Sequence, residues 1–453
     1  MFSFLKKLWR DRRGNALIIA GAALPLVVGS AGLASDTIQW ALWKRQLQRL
    51  ADSGAMAGAY ARVRGSTVDN CSNVATATYS TPVAYDVRKN MHLPQTPTCS
   101  ATNPPSTGTY AADNNAVRVT VSMQRPLSFS GMFLTTAPTI SASAIATIVP
   151  GGKYCVVSLE NTATTGITAT GNADVDLGCG MITNSTSMTA AVATGSSEVN
   201  ASPIAAVGGI AESNNWADGT VLQPFTIAQE DPFANVNPPA SSDYPSGNCP
   251  NLRLNQPSDN MPASSFNSSN YTTLIGGAAG AMCFSDISIS GTVVFPEHSV
   301  IVIDGGSLSV GAQAHVTCNW CTFVLTNRNS TGSIGNLNVT AGAQLNLKAP
   351  GTDDTGYPAN FRGIIIYQDR RAQDGTSANS QSTMNGNASS TLQGAFYFPS
   401  QQLTFNGTAG MTTDCLQLVA RRVYYSGNLD IANTCDADSG ADAFLGKKVR
   451  LVG

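Results

Sequence analysis

Charge is what this sequence has least of. Only 12% of its 453 residues are Asp, Glu, Lys or Arg, about half of the roughly 25% usual in soluble domains. Helical bundles carry such residues on their wet faces, so a bundle is excluded as the main architecture. A net charge of -2 provides no global basic field for nucleic acid, and none is expected as a partner. Histidine is nearly missing: His92, His298 and His315 lie far apart in sequence and make no His-rich metal centre. There is no Gly-x-Ser-x-Gly, and the Gly-rich piece at 276–280 lacks the Lys-Ser/Thr of a phosphate loop. These absences point to a protein that is not an enzyme and that uses no cofactor.

What fills the gap is Gly (42 residues) with many Ser, Thr, Asn and Ala, a mixture suited to strands with short side chains and frequent turns. The N-terminus is different. Residues 1–13 form a basic tail, Lys6, Lys7, Arg10, Arg12 and Arg13 against Asp11. Residues 14–35 follow with no charge at all, and as a helix they reach about 33 Å, enough for a bilayer core of about 30 Å. Pro25 inside the stretch is tolerated in lipid. Basic flanks stay in the cytoplasm. The expected topology is therefore a single pass through a bacterial inner membrane, N-terminus inside, with the bulk in the periplasm or outside the cell. A cleaved secretory signal, with small residues at 31–34, is the alternative.

Residues 36–64 continue without proline and read as a stalk helix. Ile38, Leu42, Leu47, Leu50, Ala51, Ala55 and Ala61 recur mostly at helical spacings. Gly54, Ala57 and Gly58 make one end small-faced and suited to close packing. This beginning resembles the TadE/TadG-like Flp (tight adherence) pilus-assembly proteins, closest to the larger TadG type. The features that carry the resemblance are Arg13-Gly14-Asn15 before the span, Pro25 within it, Gly32 to Asp36 at its exit, and Gln46-Leu47-Gln48 leading to Ala51-Asp52. The resemblance implies a membrane-anchored, non-catalytic part of a pilus-assembly and surface-adherence machine, with other pilus-assembly or envelope proteins as partners. Prepilin-like members are cut after a Gly that a Glu follows five residues on. Gly14 is the candidate processing site here, but Ile19 stands at that place, so the anchor is expected to stay attached. No Asp-x-Ser-x-Ser metal loop of the larger members is found.

Residues 65–150 read as a small α+β, pilin-like head. Val117, Val119, Val121 and Met123 alternate with polar residues, as do Ile140, Ala142, Ala144, Ala146 and Ile148, giving two strands. Residues 94–106 hold four prolines and read as a loop. From 151 to 453 short alternating runs are separated by Gly, Asn, Asp and Ser. The runs at 308–316 and 337–345 echo each other, with Gly-Ala-Gln at 311–313 and 342–344, and 171–177 is a looser copy. An offset near 30 residues suits coils of a parallel β-helix-like solenoid. The overall expectation is a mainly β protein, with a β-sandwich as the alternative to the solenoid. Prolines and asparagines mark an insertion at about 200–265.

All ten cysteines follow residue 70, which fits disulfides in an oxidising compartment. Sequential pairing is the simplest map: Cys71–Cys99, Cys155–Cys179, Cys249–Cys283, Cys318–Cys321 and Cys415–Cys435. Cys318-Asn-Trp-Cys321 lies in strand-like sequence, which favours a bridge at a turn over a redox motif. No metal site is expected; Asp353 and Asp354, at the head of the best acidic cluster with Asp369, Arg370, Arg371 and Asp374 after them, are the nearest to candidate metal residues. On a β-solenoid it could hold calcium and act on an acidic polysaccharide, but a Gly-rich turn explains Asp353 and Asp354 as well. A surface adhesin binding glycans is the remaining alternative.

Overall fold

The computed structural model describes residues 12–244, 249–266, 281–351, 359–374, 381–386, 390–407, 411–427, 430–433 and 444–453. They divide into two units, residues 1–149 with 448–453, and residues 150–447.

The first unit is built on one continuous helix, α1 (Arg12–Val63), with Pro25 inside it. It is long and apolar enough to cross a membrane. Its two halves have opposite surroundings. Ile19, Leu24, Leu26, Val27, Val28 and Leu33 are exposed, whereas Leu47, Leu50, Ala51, Ala55 and Ala59 are buried. The expected stalk is thus in its second half the core helix of the head. Ile38 and Leu42, counted in the packing stripe by spacing, are exposed, because at this level the head covers a different face of the helix, that of Asp36, Gln39 and Trp43. The small-faced end does pack closely: a Cβ on Gly58 would come within 2.7 Å of Val117 and 3.1 Å of Val83.

Val83 belongs to α2 (Pro82–Asn90), which begins with proline at its first turn. Val117 belongs to a sheet of β1 (Thr98–Thr102), β2 (Ala116–Gln124) and β3 (Thr139–Ser158). Both pairings, β1 with β2 and β2 with β3, are antiparallel. The alternation read from sequence becomes a buried face of Val117, Val119, Val121, Met123, Ile140, Ala142, Ala144 and Ala146. The proline-rich segment is not all loop. β1 fits between Pro97 and Pro104, because an edge strand pairs on one side and tolerates proline at its ends. The chain end returns to this unit, where Ile145 and Val452–Gly453 exchange backbone hydrogen bonds.

In the second unit every pairing described between residues 154 and 433 is parallel, unlike the antiparallel sheets of a β-sandwich. Most strands pair with the strand three further along the chain. The ladder Asn251–Leu254, Asp286–Ile289, Leu308–Val310, Leu337–Val339 is one example. The echoing runs sit side by side: Leu308 on Leu337, Val310 on Val339, Val316 on Leu345. Their 29-residue offset is not the general repeat, however. Ile287 pairs with Leu308 and Ile167 with Ala191, which are shorter steps, while Asn346 pairs with Thr391, a longer one. Loops inserted at the corners change the length without disturbing the ladder.

The order of the stack is not the order of the chain. The chain enters it in the middle, at 154–158, and residues up to 223 run from there to one end. Leu418–Ala420 pairs with Val156–Ser158, and Val423–Tyr425 pairs with Ile167–Ala169. The last strands therefore close onto the first. Between these two stretches the chain crosses to the far end. This crossing is shorter than the expected insertion, since Ile204–Ala206 and Asn251–Leu254 are strands of the stack. It follows one face closely. Gln229 exchanges hydrogen bonds with Asn184, Asp231 accepts from Tyr397, the Val236 carbonyl accepts from Tyr367, and Ser241 donates to the Arg328 carbonyl. Cys249 is then bonded to Cys283. The crossing covers Val302, Val324, Tyr367 and Tyr397, whose strand neighbours Ile303, Phe323, Ile366 and Phe396 fill the interior. Strands covered on both sides read as continuous apolar runs, such as Val300–Asp304 and Ile364–Gln368.

Candidate functional site

The head carries an open cleft of about 860 Å³ between the end of α1 and the start of α2, lined among others by Met56, Tyr60, Arg64, Tyr79 and Asp86. α1 places Met56 and Tyr60 on one face by their spacing of four, and Arg64 follows directly after its end. Asp69 positions the other wall. Its carboxylate accepts from the backbone N–H of Val83 at 2.8 Å and Ala84 at 3.1 Å, which satisfies the open N-terminus of α2. Tyr79 and Tyr85 lie 4.4 Å apart, with the Arg88 guanidinium 5.4 Å from the Tyr85 ring centre. Aromatic rings, a basic and an acidic group around a shallow cleft suit a protein or peptide contact.

The acidic cluster read from sequence comes apart in three dimensions. Asp353 and Asp354 lie outside the described residues. Asp369, Arg370, Arg371 and Asp374 do not converge. Asp369 is buried and accepts from Thr326 at 2.7 Å and Arg371 at 2.6 Å. Burial pushes its carboxyl up, but the bonds from Arg371 and Thr326 hold it below the usual range. Arg370 points to the crossing segment, donating to the Phe233 carbonyl at 3.1 Å and to the Tyr397 hydroxyl at 3.0 Å. Asp374 pairs with Arg421 at 3.2 Å and also with Arg422. Neighbours in sequence thus serve three separate cross-links. Among the described residues no group of three His, Cys, Asp or Glu could hold a metal.

Sequence reading missed the partner of that last pair, Glu160. It is fully buried and meets Arg421 at 3.0 Å and Arg422 at 2.7 Å. Burial pushes its carboxyl up, yet the bonds from Arg421, Thr162 and Arg422 hold it at about 2. Arg421 and Arg422 lie in Met411–Gly427 and Glu160 follows β3, so the cluster sits where the last strands close onto the first. In so uncharged a sequence the doublet Arg421-Arg422 was a usable signal, but nothing local pointed to a carboxylate some 260 residues earlier. Nearby on the same unit lies a recess of about 410 Å³, lined by Ser330, Thr331, Asn336, Arg371, Gln373 and Gln401 among others.

Four of the expected disulfides are formed: Cys71–Cys99, Cys155–Cys179, Cys249–Cys283 and Cys318–Cys321. Cys415 is also disulfide-bonded; Cys435 lies outside the described residues. The Cys318–Cys321 bridge spans the turn between His315–Asn319 and Thr322–Thr326, where Lys348 and His298 lie against the Trp320 ring. Of the residues that set the expected membrane topology, Lys6, Lys7 and Arg10 lie outside the described residues, while Arg12, Arg13 and Gly14 open α1.

A family model described as putative Tad-like Flp pilus-assembly matches residues 53–146. These residues are the buried end of α1, α2 and most of the three-stranded sheet. The chain is similar to that family over its head, beyond the N-terminal motifs that carried the resemblance in sequence, and the match supports a role in Flp/Tad pilus assembly. Neither the curated proteins nor the solved structures give a match.

Proposed function

We propose that this chain is a TadG-type, membrane-anchored and non-catalytic component of Flp pilus assembly and adherence. α1 holds it in the inner membrane with the N-terminus in the cytoplasm and both folded units outside. The second unit is a parallel β-solenoid whose strand-three-on pairing stacks coil upon coil, and it contacts pilus subunits or other envelope proteins. The observation that carries the reading is the joining of a Tad-like head to an apolar helix in one uninterrupted element. The disulfides fit a body that folds in an oxidising compartment. The test is deletion of residues 154–447, which keeps the anchor and the head with its returning end, residues 448–453. Pilus assembly and adherence should fail. If both proceed normally, the large body has no such role.

A second reading, surface binding of glycans by the body, is favoured by the recess beside Gln373 and Gln401, whose amides and hydroxyls suit sugar hydroxyls. Cell fractionation separates the two. An assembly protein stays with the inner membrane, and an adhesin reaches the surface or the medium.

A further inference from the structure

The connection between β2 and β3 does not stay with the sheet. It runs along α1 in the direction of the membrane, and four contacts fix its course. The Arg125 guanidinium lies 5.9 Å from the centre of the Trp43 ring. Ser128 donates to Gln39 at 3.4 Å. The Asp36 carboxylate accepts from the backbone N–H of Phe129 at 2.9 Å and Ser130 at 2.5 Å. The Phe129 ring lies on Gly32 so closely that a Cβ there would come within 2.3 Å of it. From Trp43 to Gly32 the helix descends about 16 Å at 1.5 Å per residue. The chain then climbs back: Gln124 donates to the Ala137 carbonyl at 2.9 Å, and Lys44 donates to the Ser141 carbonyl. The turn of this descent holds Met132, Phe133 and Leu134, which are 78%, 72% and 53% exposed.

Three neighbouring apolar side chains left open by a soluble head would be a liability. Their level explains them. They follow directly on Phe129 and Ser130, which are held at Gly32 and Asp36, so they lie near the level at which Leu33 of α1 is itself exposed. Above them, Trp40 and Trp43 with Lys44, Arg45 and Arg125 form the mixed aromatic and basic level found where lipid headgroups begin. We infer that residues 129–135 form a second membrane contact, with Met132, Phe133 and Leu134 inserted into the outward-facing leaflet of the bilayer. The buried Asp36 fastens this loop to the helix, so the head is held against the membrane at two points and its tilt on α1 is fixed.

The inference rests on the reading of α1 as a membrane anchor, and the test separates the two. The full chain is reconstituted in liposomes with photoreactive p-benzoylphenylalanine in place of Phe133, and separately in place of Tyr79, an exposed residue at the far end of the head. After irradiation, mass spectrometry reads lipid adducts on the modified peptide. Adducts at position 133 and none at 79 are expected. A chain that floats with the liposomes but gives no lipid adduct at 133, or gives equal adducts at both positions, overturns the loop contact and leaves the anchor standing. A chain that does not float overturns both.

Discussion

Glu160 is buried without losing its charge because two arginines and a threonine replace the water it gives up. Its carboxyl, ordinarily near 4.5, is held at about 2 in the fold. A carboxylate lowered in this way stabilises the folded state fully above its ordinary value. That contribution disappears as pH falls from about 4.5 towards 2. Denaturation midpoints should therefore drop across this window, and Glu160→Gln should flatten the drop while lowering stability at neutral pH. Removing one arginine is worse than neutral, since it leaves buried charge undercompensated: Arg422→Met should cost about 3 kcal/mol in urea unfolding at pH 7. Asp69 acts at the same scale in the head. It takes the place of a capping side chain that Thr81 does not supply. Asp69→Ala should destabilise the head by about 1–2 kcal/mol, read as a lower thermal midpoint with unchanged helix content before the transition.

At the scale of elements, α1 shows how one helix serves two environments. From Gly14 to Ser35 it has no charged residue that lipid would have to desolvate, and its second half has small residues that let α2 and the sheet approach. Gly54 and Gly58 would each gain helix propensity as alanine, but at Gly58 the β-branched Val117 and Val83 leave no room. Gly58→Leu should cost about 1–3 kcal/mol through overpacking, whereas an equally large side chain at exposed Ile38 should change stability little; urea titration of the two variants compares them. The period-2 strands of the head were legible because one face is buried and the other wet. Strands such as Thr322–Thr326 depart from the alternation expected of this region, since the crossing segment hides their second face. β1 was not legible, because five small residues among prolines look like any loop.

For the whole molecule, the consequential feature is that the final strands pair with the initial ones of the same unit. Such pairing spans more than 250 residues of sequence, as from Leu418 back to Val156, and it cannot form until the last strands exist. Ending the chain after residue 407 should leave Tyr154, Ile167 and their neighbours as an open, apolar edge. The expected outcome is aggregation on purification and rapid proteolysis between residues 154 and 223, measured by limited digestion against the full chain. The Cys155–Cys179 bridge ties the first two turns of that same region. Closing a loop of that length contributes about 3.5 kcal/mol in the chain-entropy model. Replacing both cysteines by alanine should lower the unfolding midpoint of the second unit and leave that of the head unchanged.

Local pattern was enough for much of this protein. The uncharged helix, the alternating strands, the turn-rich composition and the echo at 308 and 337 all follow from properties of neighbouring residues, and local sequence records those directly. The order of the parallel stack, the path of the crossing segment, the joining of Glu160 to Arg421 and Arg422, and the descent of Met132, Phe133 and Leu134 along α1 were decided by tertiary structure alone. Each depends on which distant segments meet, and strands of similar composition leave no local mark of their partners.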